Sequence, residues 1–255
     1  MTPDATSPLA LATRALGYRV GGVIILEDID LDVAPGEFLG LIGPNGAGKS
    51  TLLNLLSGVL RPSAGRIELN GEDVTRTRPE RRARLGLGRT FQTSTLFETL
   101  SVYENVRLAA QVHRGGTANF WRAPRRDDAA SAAAADALAR VGLTHQRDVV
   151  TGVLSHGEKR KLELAILLAS DARILLLDEP MAGVNTHDIA ALSELIGELH
   201  GEGRTVVMVE HHLAVVIGLA QRIAVLDSGR LLAHGEPDAV IADENVQQAY
   251  LGQPL

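Results

Sequence analysis

An α/β fold built on a parallel sheet is what this 255-residue sequence predicts, on three observations. The short apolar runs "RILLLDE" (173–179) and "RTVVMVEH" (204–211) have the composition of strands buried on both faces. Helix-like "DIAALSELIGELH" (188–200) lies between them and gives the strand–helix–strand rhythm of parallel pairing. A glycine-rich turn joins strand-like "GEFLGLIG" (36–43) to helix-like "STLLNLLSGVL" (50–60).

Taken in chain order, residues 1–8 read as a disordered leader. "VIILEDIDLDV" (23–33) alternates apolar and polar residues, the pattern of a half-buried strand. The helix after the glycine-rich turn is expected to stop at Arg61-Pro62. "GRIELNG" (65–71) reads as a strand closed by the Asn70-Gly71 turn. Composition then shifts: residues 76–89 are rich in arginine, "GGTANFWRAPRRDD" (115–128) reads as an irregular connection, and "AASAAAADALARVGL" (129–143) is strong helix-forming sequence. About 74–165 is therefore expected to be a mainly helical insert, within one domain over 9–255 whose core is 9–73 and 166–255. "RIAVLDSGRLLAHG" (222–235) reads as a hairpin around Asp227-Ser228-Gly229.

Bulk properties narrow the function. Hydrophobic residues make up 45% and charged residues 22%, ordinary for a soluble globular chain. A net charge of −6 argues against a dedicated nucleic-acid binder. The absence of cysteine excludes disulfides and thiolate metal sites. The start lacks the features of a secretory signal, and runs such as "LAILLA" fall far short of the ~20 residues that a membrane span needs. A soluble chain is expected, with any membrane link made through a partner.

The chemistry begins at "GPNGAGKST", which matches G-x-x-x-x-G-K-[ST] in full. Gly43, Gly46 and Gly48 permit a tight turn, and the run Gly43, Pro44, Asn45, Gly46, Ala47, Gly48, Lys49, Ser50 and Thr51 is the candidate nucleotide-binding segment. Its backbone N–H groups can face phosphate oxygens, Lys49 can neutralise the β- and γ-phosphates, and the Ser50 hydroxyl can ligate Mg²⁺. A second anchor is the strand end Asp178-Glu179. The aspartate can hold Mg²⁺ or its water, and the glutamate can polarise a water for attack on the γ-phosphate.

In order, "GPNGAGKST", "TFQ" (90–92), "LSHGE" (154–158), "LLLDEP" (175–180) and "VEHHL" (209–213) resemble the ATP-binding cassette of ABC transporters, over about 9–251. The resemblance implies an α/β P-loop NTPase with a RecA-like core and parallel sheet, an N-terminal antiparallel β subdomain and a helical subdomain insert. It implies an ATPase using ATP and Mg²⁺, with catalytic roles for Lys49, Gln92, Glu179 and His211 and metal contacts from Ser50, Gln92 and Asp178. His212 stands where the family usually has aspartate and is expected to be non-catalytic. "LSHGE" matches the signature motif, so Ser155, His156, Gly157 and Glu158 are expected to meet ATP held by a second cassette, with His156 and Glu158 departing from the common LSGGQ. Asn185 departs likewise from a common aspartate. For the base-stacking aromatic, Tyr18 lies about two residues early and Val20 holds the expected place; Tyr18 is either the stacking ring or a core or surface tyrosine.

Within the cassettes, "GLGRTFQTSTLFETLSVYENV", "LSHGEKRKLELA", "LDEPMAGVN" and "VQQAYLG" are similar to those of branched-chain amino-acid uptake systems, with urea and short-chain amide importers in the same broader group. This implies a peripheral subunit on the cytoplasmic face of the cell membrane. Its partners would be a second cassette (its own copy or a related sister chain), permease subunits and, indirectly, a solute-binding protein. Phe97, Leu100 and Val102 either line a groove for a permease helix or pack inside the helical insert. A soluble cassette acting on nucleic acid or ribosomes is the alternative from another class. Such proteins typically carry two cassettes or a long coiled coil, and this chain shows one cassette and no heptad array, so no nucleic-acid partner is expected.

Overall fold

The computed structural model describes residues 8–91, 95–113 and 129–251. Gln92, nearly all of the leader and the irregular stretch at 115–128 lie outside the described residues.

Two sheets organise the chain. The smaller is antiparallel and runs in the order β2-β1-β4-β5, from β1 (Leu11–Val20), β2 (Val23–Val33), β4 (Ala64–Leu69) and β5 (Glu72–Asp73). Asn70 and Gly71 close β4 onto β5 with both residues at positive φ, 50° and 79°, the geometry that an Asn-Gly hairpin turn requires. The larger sheet has the order β10-β9-β3-β8-β7-β6. Its strands β3 (Phe38–Ile42), β6 (Leu87–Arg89), β7 (Ile174–Asp178), β8 (Thr205–Val209) and β9 (Arg222–Asp227) pair in parallel. β10 (Arg230–Gly235) returns antiparallel to β9 through Ser228 and Gly229, again both at positive φ, where the Asp227-Ser228-Gly229 hairpin was expected.

The apolar runs of this sheet are continuous because each strand feeds two cores. Side chains alternate across a pleat. Phe38, Leu175, Leu177, Val206, Met208, Ile223 and Val225 face one cluster, while Leu39, Ile174, Leu176, Val207, Val209, Ala224 and Leu226 face the other. The first cluster is covered by α3 (Val102–His113), α4 (Ala129–Arg140), α5 (His156–Ala169) and α6 (Thr186–Gly201). The second is covered by α1 (Lys49–Ser57) and the antiparallel sheet. Short α2 (Pro79–Arg84) precedes β6, α7 (Leu213–Leu219) follows β8, and α8 (Pro237–Ile241) and α9 (Glu244–Leu251) close the described chain.

One expectation changes. The helix after the glycine-rich turn ends at Ser57, four residues before Arg61-Pro62, because Gly58 adopts a left-handed conformation and its N–H bonds Leu55 O. Within 74–165, expected to be mainly helical, the short strand β6 adds the edge of the larger sheet. A three-residue strand is too short for its periodicity to show. α5, in turn, runs past 165 to Ala169.

Candidate nucleotide site

Parallel pairing brings the C-terminal ends of β3, β8 and β7 to one edge of the sheet. The chain leaves β3 into the glycine-rich loop, β7 ends at Asp178 followed by Glu179, and β8 leads directly into Glu210 and His211. Topology therefore assembles residues that stand up to 168 positions apart in the sequence (43 to 211).

Gly43 cannot be replaced without moving backbone, since a Cβ there would stand 2.0 Å from Leu226 O. Gly48 caps α1 at φ 104°, with Leu26 Cδ2 2.6 Å from where its Cβ would be. Gly46 is also at positive φ. Ala47 packs into the core and accepts from the Gly229 N–H at its carbonyl, which ties the loop to the β9–β10 hairpin. Pro44 O accepts from Ala47 N–H, while Asn45 is exposed and Ser50 and Thr51 are half-buried at the start of α1. Lys49 is buried and folds back over the loop, its Nζ donating to Gly43 O at 2.6 Å and Pro44 O at 2.9 Å. Burial lowers its pKa, with Glu179 and Asp178 acting in the opposite direction.

Asp178 is buried, and its Oδ2 accepts from Arg89 Nη2 at 3.0 Å. Desolvation raises its pKa, opposed first by Arg89 and more weakly by the Ser50 hydroxyl. The other oxygen, Oδ1, is buried without a hydrogen-bond partner. A leftover buried anionic oxygen beside a serine hydroxyl is a donor set that suits a hard divalent cation, so Asp178 and Ser50 fit Mg²⁺.

Glu179 occupies the left-handed region at φ 49°, held there by its N–H to Val209 O at 2.9 Å and by Ala182 N–H to its own carbonyl at 3.0 Å. A non-glycine residue in this region is uncommon and persists only where surrounding bonds hold it. Its Oε1 lies 3.1 Å from His211 Nε2. His211 is 44% exposed, so its ring stands at the surface where a substrate oxygen could reach it. His212 caps α7 without a side-chain bond.

The signature segment forms the N-terminus of α5. Ser155 is its N-cap, accepting from Glu158 N–H, while Glu158 Oε2 accepts from Ser155 N–H and Oγ, both at 2.8 Å. Gln146 also donates to Glu158. Its amide, and then the Ser155 N–H, hold the Glu158 carboxyl below its ordinary range. The His156 ring lies against Gly183, in the turn after Glu179, and Gly157 faces Asp188. Leu154 is buried in the first core cluster, while Ser155 and His156 are exposed. Asn185 caps α6 with its backbone, its side chain making no capping bond.

Tyr18 pairs across from Leu26 and packs half-buried against the second core. Val20, at the end of β1, is 53% exposed. Val102 is fully buried, Leu100 half-buried and Phe97 exposed, so only Phe97 of those three stands free on the surface.

Two participants, Glu210 within "VEHHL" and Arg89 within "GLGRTFQ", had no role assigned from those motifs. Buried Glu210 accepts from the backbone N–H groups of His211, His212 and Met181, and so fixes the turn that carries the histidine. Arg89 contacts Asp178. The only hint of either was a charged residue beside an apolar strand, which must find a partner once buried.

Known proteins place the chain in a family. The family model described as ABC transporter matches residues 26–182, and one described as branched-chain amino acid ATP-binding cassette transporter matches 230–254. The chain is 36% identical to the high-affinity branched-chain amino acid transport ATP-binding protein LivG of Escherichia coli K12, over 95% of this chain and 98% of that one. It is equally 36% identical to a probable ABC transporter ATP-binding protein of Azorhizobium caulinodans, over 98% and 85%. The lipopolysaccharide export system ATP-binding protein LptB of Escherichia coli K12 matches at 32%, over 95% and 97%. A crystal structure of an ABC-transporter cassette in its ADP conformation superposes with a TM-score of 0.85 at 28% identity, covering 97% of this chain and all of that one. On fold, site and relatives together, the chain belongs to the ABC transporter family, as an ATP-binding cassette ATPase.

Proposed function

We propose that this cassette powers an importer for branched-chain amino acids or a related small polar solute. The observation that carries the reading is the match of residues 230–254 to the branched-chain cassette model, beside near full-length similarity to LivG. In this reading the loop from Gly43 to Thr51 binds the ATP phosphates, Lys49 neutralises the β- and γ-phosphates, and Ser50 and Asp178 hold Mg²⁺, with Gln92 as a further ligand. When bound, the cation draws charge from the phosphate oxygens. Glu179 accepts a proton from the attacking water, and His211, within reach of Glu179, donates to the γ-phosphate. Ser155, His156, Gly157 and Glu158 close over ATP bound by the second cassette, which is either another copy or a sister chain.

The cassette works peripherally, on the cytoplasmic face. Among the described residues, no helix is long and apolar enough to cross a membrane. A groove lined by Leu96, exposed Phe97, Leu108, Val112 and Ile166 lies between β6, α3 and α5 and suits a permease helix. The test is reconstitution in proteoliposomes with the permease and sister chains encoded alongside and the cognate binding protein. Leucine-stimulated ATP hydrolysis and uptake are expected, both silenced by Glu179→Gln. Stimulation by urea or a short amide, with no response to leucine, would move the chain to that neighbouring group of importers.

A further inference from the structure

The buried guanidinium of Arg89 joins three parts of the nucleotide site at one point. Register puts it there: β6 pairs in parallel with β7, Arg89 opposite Leu176, and Thr90 Oγ1 accepts from Asp178 N–H at 3.2 Å. From that position Nη2 donates to Asp178 Oδ2 at 3.0 Å, while Nη1 donates to Asn54 Oδ1 at 2.8 Å and Ser57 Oγ at 2.7 Å, both on the helix that carries Lys49 and Ser50. On its other side the guanidinium stacks 4.7 Å from the Phe91 ring centroid, and Phe91 O accepts from Arg160 Nη1 of α5 at 3.0 Å. The Arg89 and Asp178 side chains are 6% and 3% exposed, so water does not screen their contact.

This arrangement divides the carboxylate. Arg89 occupies Oδ2, and Oδ1 is left with no hydrogen-bond partner. We propose that Arg89 is a positioning residue for the metal: it locks the rotamer of Asp178 against α1, so that Oδ1 is presented to the cation in register with Ser50. The proposal rests on Asp178 as a Mg²⁺ ligand. Arginine suits the task because its planar fork serves α1 with one nitrogen and Asp178 with the other, which a lysine ammonium at a single point cannot do. Partners of metal ligands typically act at this level, through the ligand's orientation.

The experiment measures Mn²⁺ binding to the ADP complex of the purified full chain by electron paramagnetic resonance, beside nucleotide affinity in excess chelator. Arg89→Gln is expected to weaken Mn²⁺ binding by about tenfold while metal-free nucleotide affinity stays within about twofold, and Arg89→Lys to recover part of the loss. Wild-type Mn²⁺ affinity in Arg89→Gln, or equal losses with and without metal, overturns the proposal. Asp178→Asn separates the two layers: if it too leaves Mn²⁺ binding unchanged, the assignment of Asp178 has failed, whereas a loss in Asp178→Asn alone fails only Arg89. Should Arg89→Gln not fold, Asn54→Ala unties the guanidinium from α1 with Arg89 in place; about a threefold loss is expected there, and unchanged Mn²⁺ affinity overturns the proposal.

Discussion

Glu179 concentrates the chemistry in one residue whose backbone is itself unusual. Its left-handed conformation costs on the order of 1 kcal/mol, offset by the hydrogen bonds that its peptide makes to Val209 and Ala182. The consequence is a carboxylate aimed at His211 rather than along the strand. Glu179→Gln keeps the shape and removes the proposed base, so kcat is expected to fall by about 10²- to 10⁴-fold with ATP affinity nearly unchanged, read by steady-state hydrolysis and fluorescent-nucleotide binding. Gly43 makes the contrasting case. Alanine there drives a Cβ into Leu226 O, so Gly43→Ala should cost about 3 kcal/mol in chemical denaturation and lose nucleotide binding together with stability. The glycines, Lys49, Ser50, Asp178 and Glu179 were legible in the sequence because their roles impose fixed local spacing. Arg89 and Glu210 were not: Arg89 meets Asp178 across 89 positions and Glu210 reaches Met181 across 29, separations that local spacing does not encode.

The element that carries the cradle, α1, is held at both ends. Its N-terminus is the glycine loop, and its C-terminal carbonyls, Leu55 O and Leu56 O, accept from Arg82 Nη1, while Nη2 of the same residue reaches Val74 O. Arg82 is buried, and burial lowers its pKa to about 10. Arg82→Ala would strand those carbonyls, and a loss of about 3 kcal/mol is expected in denaturant titration. The early stop of α1 at Gly58 follows from the same packing: a Cβ there would sit 2.9 Å from Arg82 Nε. Sequence spacing alone carried the helix on to the next proline. The strands were legible because both faces of the large sheet are covered, which forces unbroken apolar runs, whereas three-residue β6 has no period to read. At the start of α5 the capping box has a pH signature. Glu158, held below its ordinary range by Gln146 and Ser155, contributes stability that is full above its unfolded value, about pH 4.3, and lost as pH falls through its lower folded value. The stability gap between parent and Glu158→Ala, followed by thermal melts, should therefore be constant at neutral pH and shrink in acid.

At the scale of the whole molecule, the signature segment opens α5 with Ser155 exposed and the His156 ring against Gly183, in the turn after Glu179. Among the described residues, the signature meets its own chain at Gln146, Gly183 and Asp188, and Ser155 stays exposed. In the proposed reading, exposed Ser155 at the positive end of a 14-residue helix meets an anion held by a second cassette. The motif letters mark this segment in the sequence, and the capping box of Ser155 and Glu158 shapes it in the fold. The most direct measurement of the account is made in the assembled transporter, with this chain as Ser155→Arg. ATP hydrolysis at the site completed by this signature is expected to drop by about 100-fold, while photo-crosslinking of azido-ATP to this chain stays at the parental level. Parental hydrolysis in the Ser155→Arg assembly would contradict a site shared between cassettes, and loss of crosslinking to this chain would show that Ser155 serves its own cradle instead.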